Sequence, residues 1–225
     1  MLHEEAKWIG SNLKTICGSK TKVLNVGSSS LLARTILQPH MEEFVFAPLR
    51  KSNVEVIHTD IQQIEGVDLV GDLTDQSFIE HLKALKFDCI LCSNLLEHIE
   101  DIEQLLKALT EILPIGGYYV FSVPHIYPYH NDPIDTMFRP SVEELKNRFP
   151  ILSLVRGESI IAKRTSEGKI EKNYFEILKN SPKLTFRIFV RCFLPFYKFK
   201  VWKYTISDVF NMFKPFQVTC VVLKK

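Results

Sequence analysis

Short apolar runs alternate with stretches of helical period through the first two thirds of the chain. KVLNV (22–26) is a β-branched run that ends at Gly27, and Leu31–Leu37 follows it as a predicted helix. VEVIHTD (54–60) and VDLV (67–70) read as further strands. Phe78, Ile79, Leu82 and Leu85 fall at helix spacing, and FDCILC (87–92) is a nearly continuous apolar strand. Ile102, Leu105, Leu106, Leu109 and Leu113 form a helical stripe behind Asp101, a capping residue. Pro114 and the Gly116–Gly117 pair stop that helix before the strand YYVFSV (118–123). Ser141 with Glu144 three residues on makes a capping box for the next helix. ILSLV (151–155) and VTCVVL (218–223) complete the strands, with an aromatic, basic and helical stretch between them.

Such alternation predicts an α/β fold: a mostly parallel sheet covered by helices on both faces. No repeat or low-complexity linker interrupts it. One domain over residues 1–225 is expected, with a helical insertion at about 165–215.

Composition narrows the class. A chain of 225 residues with 46% hydrophobic content suits one soluble α/β domain. Its five cysteines (Cys17, Cys89, Cys92, Cys192 and Cys220) are odd in number and scattered, which argues against a disulfide framework. Cys89 and Cys92 form a CxxC inside an apolar strand with no second Cys or His pair at zinc spacing, so both are expected as buried small residues. The opening MLHEEAKWIG has acids and no apolar core, and no run approaches the roughly 20 residues of a membrane span. The expected compartment is the cytoplasm. From Lys163 to Lys225 there are 14 Lys and Arg against 4 Asp and Glu, so this third is strongly basic while the rest is acidic.

Candidate chemistry gathers where strands end. Gly27 and the serines after it let a ligand approach the backbone, beside a helix start with free N–H groups. Asp60 ends the second strand, Asp72 follows the third and Asn94 follows the fourth. In open α/β sheets ligands lie beyond these carboxyl ends. Each residue alone also reads as a turn or cap, and Asp72 or Asp75 suits the helix at Gln76–Leu85.

In the order VLNVGSSS, VIHTD, VGDLTD, FDCILCSNLLEHIED and LPIGGYYVFSVP, residues 20 to 125 resemble the class I S-adenosylmethionine (SAM)-dependent methyltransferases. The resemblance implies a Rossmann-like seven-stranded sheet with an antiparallel last strand and SAM as cofactor. It places Asn25, Gly27 and Ser28 at the methionine moiety, Asp60 at the ribose, Asp72 at the adenine and Asn94 in the methyl-donor pocket, with Leu73 as a further cofactor contact. The family's usual acid in the first strand is Asn25 here, and its later glycines are Ser28, Ser29 and Ser30. YPYHNDPIDTMFRP is similar to a subgroup associated with sugar and cell-envelope biosynthesis. A dinucleotide-binding dehydrogenase needs G-x-G-x-x-G, and the three positions here hold Gly27, Ser29 and Leu32.

Methyl transfer from a sulfonium needs mainly in-line alignment, with a base if the acceptor is a hydroxyl. VPHIYPYHNDPIDTMFRP lies just past the fifth strand. His125 and His130 are the candidate bases, and Tyr129, Asp132, Asp135 and Arg139 the candidate substrate contacts. The spacing of its His and Asp residues matches no metal cage, so no metal is expected. His98 reads as structural or cofactor-adjacent. FRIFVRCFLPFYKFKVWKY (186–204) interleaves aromatics with Arg187, Arg191, Lys198, Lys200 and Lys203. It reads as an amphipathic cover, then as a peripheral membrane contact; nucleic acid ranks last, because no RNA-binding motif accompanies it. The expected function is SAM-dependent methyl transfer to a small-molecule or glycan acceptor. The alternative is a catalytically inactive methyltransferase-like binding module, motivated by Asn25 and the serine run.

Overall fold

The computed structural model describes residues 1–130, 134–162, 173–193 and 199–225. Asp132 and parts of the expected insertion lie outside the described residues.

Seven strands form one sheet: β1 (Lys22–Val26), β2 (Glu55–Asp60), β3 (Leu69–Val70), β4 (Cys89–Ser93), β5 (Tyr118–Ile126), β6 (Ser153–Ile161) and β7 (Gln217–Lys224). Their order is β3-β2-β1-β4-β5-β7-β6. The first five pair in parallel, and β7 runs antiparallel to both β5 and β6. This is the mostly parallel Rossmann-like sheet with an antiparallel last strand that the sequence implied.

Alternation along each strand feeds two cores. Leu24, Val26, Ile90, Cys92, Tyr119, Phe121, Val123, Val221 and Leu223 face one cluster. Val23, Cys89, Leu91, Val120, Cys220 and Val222 face the other. Both faces are apolar because both are covered, which is why these strands read as continuous apolar runs. Cys89 and Cys92 point to opposite faces and are buried as free thiols, so this CxxC cannot chelate one ion.

The first core is closed by α2 (Gln76–Ala84), α3 (Ile102–Ile112) and α4 (Val142–Asn147), the second by α1 (His3–Ile16) and a helical tract over residues 33–51. The caps form as the sequence predicts. Asp75 accepts from the Ser77 N–H and Asp101 from the Gln104 N–H, and Ser141 and Glu144 complete their box. Three more helices, α5 (Tyr174–Asn180), α6 (Pro182–Cys192) and α7 (Phe199–Phe210), lie between β6 and β7. Among the described residues no helix is long and apolar enough to cross a membrane.

Three boundaries differ from the sequence reading. VDLV shortens to Leu69–Val70, because Val67 closes a turn onto the Ile64 carbonyl. The strand expected at 151–155 starts at Ser153 and runs on to Ile161, since β7 supplies pairing along that whole length. The helix after Gly27 is a π-helical turn, Ala33–Leu37, which leads into the tract at 39–51.

Helix α1 crosses that tract at Gly10, where an added Cβ would sit 1.9 Å from the Phe44 carbonyl oxygen. Backbone blocks the space, so the helix would have to shift. Gly10→Ala is expected to lower stability by about 1–3 kcal/mol, read as a lower urea midpoint with an unchanged slope.

Candidate functional site

Strand order reverses between β1 and β4, which makes the carboxyl edge of these strands the place for a ligand. The turn that leaves β1 begins at Gly27, with φ of +64°. A Cβ there would lie 2.8 Å from Leu95, which follows β4, so glycine is needed for both dihedral and space. Next, the Ser28 N–H donates to the Thr59 carbonyl at 3.1 Å and the Ser29 N–H to Asp60 Oδ2 at 2.9 Å. The other oxygen of Asp60 accepts from the Gln62 N–H at 3.1 Å. The Asp60 carboxylate therefore borders the glycine turn and remains half-exposed. Val70, its register partner on β3, and Ile61 are exposed apolar side chains beside it.

Arg34 braces the same turn from below. Its guanidinium is buried and donates to the carbonyls of Ser28 (2.9 Å), Ser29 (2.5 Å) and Gly66 (2.6 Å). Burial pushes its pKa down from the ordinary arginine value, and nearby Asp68, Glu42 and Asp60 offset part of that. Sequence reading missed this residue, which stood in a predicted helix with no motif around it.

Asn25 does not face this edge alone. Its amide Nδ2 donates to His58 Nδ1 at 3.0 Å across the β1–β2 pair. Burial, helped by the Arg34 charge, drives the His58 pKa down to about 4, so the ring is neutral and can accept. Asp72 is exposed, and its Oδ1 accepts from the Thr74 N–H at 2.8 Å in an Asx turn. Leu73 packs against the first core. Asn94, at φ of +49°, donates its side-chain amide to Glu5 Oε1 at 2.7 Å. Glu5 is fully buried, and its second oxygen accepts from the Leu2 N–H at 2.8 Å, so α1 is tied to the end of β4.

The segment after β5 docks onto the turn after β4. Thr136 donates to the Glu97 carbonyl through its N–H (2.8 Å) and its hydroxyl (3.0 Å). His98 Nδ1 lies 2.5 Å from the Ile134 carbonyl. The docking brings His130 against His98, with ring centroids 5.3 Å apart. Asp135 is buried at the loop's centre. It accepts from Arg139 at 2.7 Å, from the His130 and Met137 N–H groups, and lies 3.2 Å from His130 Nδ1. These bonds outweigh desolvation and hold its pKa well below the carboxylate range, and the His130 pKa is correspondingly raised. His125 stands apart from this group, its Nδ1 3.1 Å from both the Arg139 and Pro140 carbonyls. Tyr129 stacks on Tyr204 of α7 at 5.5 Å, and its N–H donates to Asp208 of the same helix. Burial raises the Asp208 pKa to about 6. Glu5, Glu97 and Asp208 are the further acids that sequence reading did not place here; each is buried by contacts distant in the chain.

Two shallow hollows lie at the opposite edge of the sheet, one beside Lys20 and Asn53, the other beside Pro114 and Lys225. Neither touches any residue above.

A sheet of this order, with a glycine turn after β1 and an acid closing β2, defines the Rossmann-like methyltransferase class. A family model described as a methyltransferase domain matches residues 35–156, more than half the chain, and the chain belongs to that family of SAM-dependent methyltransferases. No curated protein matches it in sequence. Among solved structures it is similar to coclaurine N-methyltransferase bound to N-methylheliamine and SAH, at 18% identity and TM-score 0.56, covering 98% of this chain and 70% of that one. It is also similar to a putative sarcosine dimethylglycine methyltransferase from Galdieria sulphuraria, at 14% identity and TM-score 0.56, over 98% and 84% of the two chains. The [4+2]-cyclase SpnF matches as well, at 10% identity and TM-score 0.54, over 97% and 80%. These likenesses concern the fold, and a cyclase among them means that the reaction must be argued from the site.

The Asn25–His58 pair has a pH signature. The folded state depresses the His58 pKa to about 4, below the ordinary value of about 6.5 for an unfolded chain. Its contribution is therefore fully present above about pH 6.5 and is lost as pH falls toward 4. Urea midpoints measured from pH 7 to pH 4.5 should fall less steeply in His58→Gln than in the natural protein.

Proposed function

We propose that this chain transfers a methyl group from SAM to a small-molecule acceptor, glycans included. The observation that carries the reading is the convergence of the Gly27 turn and the Asp60 carboxylate at the strand-order reversal, with the His130–Asp135 loop on the neighbouring β4–β5 side. The residues present fit the donor. Asp60 has lone pairs left after its two backbone bonds and can accept from ribose hydroxyls. Val70 and Ile61 offer apolar surface to an adenine ring, with Asp72 and Leu73 past the end of β3. Gly27 and Ser28 lie toward the methionine end, as does Asn94. Asn25 brings no charge, because its side chain is a neutral amide, and its Nδ2 donates to His58.

In the transfer, a lone pair of the acceptor forms a bond to the methyl carbon as the carbon–sulfur bond breaks. The electron pair goes to sulfur, and a hydroxyl or amine acceptor gives up a proton. His130 directs its Nδ1 at Asp135, which leaves Nε2 to take that proton; His125 is held in the same tautomer by two carbonyls. Asp135 is a positioning residue, since its oxygens are occupied within the loop. Tyr129 and Arg139 are the acceptor contacts among the described residues, roofed by α7.

Calorimetry with SAM tests the reading. Asp60→Ala removes hydrogen bonds to a charged acceptor at roughly 1.5–3 kcal/mol each, so SAM binding should weaken about 10- to 100-fold. A well-folded natural protein that binds no SAM defeats the proposal. SAM binding without methyl transfer to any acceptor in small-molecule and glycan panels supports the inactive binding module instead.

A second reading concerns where the enzyme works. Phe186 and Phe189 of α6 and Phe193 just past its end are 68, 62 and 70% exposed at helical spacing, beside the exposed Lys183 and Arg187. Such a face suits the surface of an anionic bilayer. The natural protein should co-sediment with phosphatidylserine vesicles, and the triple change of these phenylalanines to serine should abolish it; equal sedimentation of both rules the contact out.

A further inference from the structure

The docking of the β5 loop on the β4 turn assembles a group with the makings of a metal site. A carboxylate oxygen of Glu97 and one ring nitrogen each from His98 and His130 all lie within 4.8 Å of one another. Three features separate this from an incidental meeting.

The first is the tautomer of His98. Its Nδ1 lies against the Ile134 carbonyl, which can only accept, so the proton sits on Nδ1 and Nε2 keeps its lone pair. That Nε2 is 3.8 Å from Glu97 Oε1. The second is the same arrangement at His130, whose Nδ1 faces two acceptors, Asp135 Oδ2 at 3.2 Å and the Pro128 carbonyl at 3.3 Å. Asp135 is itself fixed by Arg139, so the ring is backed by a held carboxylate. Metal-ligating histidines are oriented by such partners. The third is Glu97. It is 1% exposed, and its Oε2 has no hydrogen-bond partner among the described residues. A buried carboxylate oxygen without a donor is costly. A cation would remove that cost.

We propose that Glu97, His98 and His130 bind one divalent first-row transition ion such as zinc, manganese or cobalt. Two imidazoles and one carboxylate favour these over magnesium or calcium, which prefer oxygen alone. The group brings two carboxylates, those of Glu97 and Asp135, against the one guanidinium of Arg139. Bonds of about 2.0–2.2 Å would require the three side chains to draw together by side-chain rotation. Three protein ligands leave positions open, as in catalytic rather than structural sites. Placed three residues beyond Asn94, the ion stands beside the proposed donor cleft. There it would lower the pKa of an acceptor hydroxyl, and His130 would serve as its ligand rather than as a free base. That last consequence rests on the methyltransferase reading; the site itself does not.

The test uses the full chain stripped with chelator and then titrated with cobalt(II), read by visible absorption, and with zinc(II), read by calorimetry, both without SAM. One ion per chain is expected, with cobalt bands of nitrogen–oxygen ligation and no thiolate charge-transfer band. Glu97→Gln, His98→Gln and His130→Gln should each weaken zinc binding at least tenfold while circular dichroism stays native. The cobalt spectrum of the natural protein decides the matter even if a variant misfolds. Absence of binding, a thiolate band, or affinity indifferent to all three substitutions overturns the proposal. SAM calorimetry on the stripped protein is a separate readout, so failure of the donor site and failure of the metal site are told apart.

Discussion

Two hydrogen bonds from Thr136 to one carbonyl, that of Glu97, hold the candidate site together. They join the segment after β5 to the turn after β4, across 39 residues of sequence. Because both partners lie at the carboxyl edge of adjacent parallel strands, a short loop suffices to bring His130, Asp135 and Arg139 against Glu97 and His98. The sheet sets the spacing, and the loop then spends its own polar groups on itself. Asp135 lies against four donors at once, which ties His130, Met137 and Arg139 together without regular secondary structure.

The other half of the edge is organised by a different device. There the backbone of the Gly27 turn is held from two sides, by the Asp60 carboxylate accepting an N–H and by the Arg34 guanidinium donating to two carbonyls. A turn built with serines in place of further glycines has less freedom to adopt left-handed dihedrals, yet Ser29 sits at φ of +56°. Three side-chain hydrogen bonds at the turn offset that strain.

Much of this was legible in the sequence, and for a physical reason. Strands buried on both faces must be apolar throughout, and helices on a sheet must carry a stripe, so KVLNV, FDCILC, YYVFSV and the Ile102–Leu113 stripe announce themselves. Asp75, Asp101 and Ser141 cap what they were expected to cap, because capping is local chemistry within three residues. What escaped was non-local. Arg34, Glu5 and Asp208 each have a partner far along the chain, 32, 89 and 79 residues away. Glu97 and His98 belonged to a quoted motif, but their meeting with His130 depends on loop docking that no periodicity encodes. β3 and β6 were misjudged in extent because pairing partners, not intrinsic preference, decide where a strand stops.

The described helices between β6 and β7 belong to an excursion that leaves the sheet and rejoins it at one place. Ala162 donates its N–H to the Phe216 carbonyl at 2.8 Å, so the excursion begins and ends on neighbouring rungs of an antiparallel ladder. Topologically it is a hairpin with an oversized tip. Such a tip can lengthen, shrink or change its side chains over evolutionary time while the ladder beneath keeps its register. The part of the molecule that roofs Tyr129 is thus free to diversify independently of the part that holds Asp60.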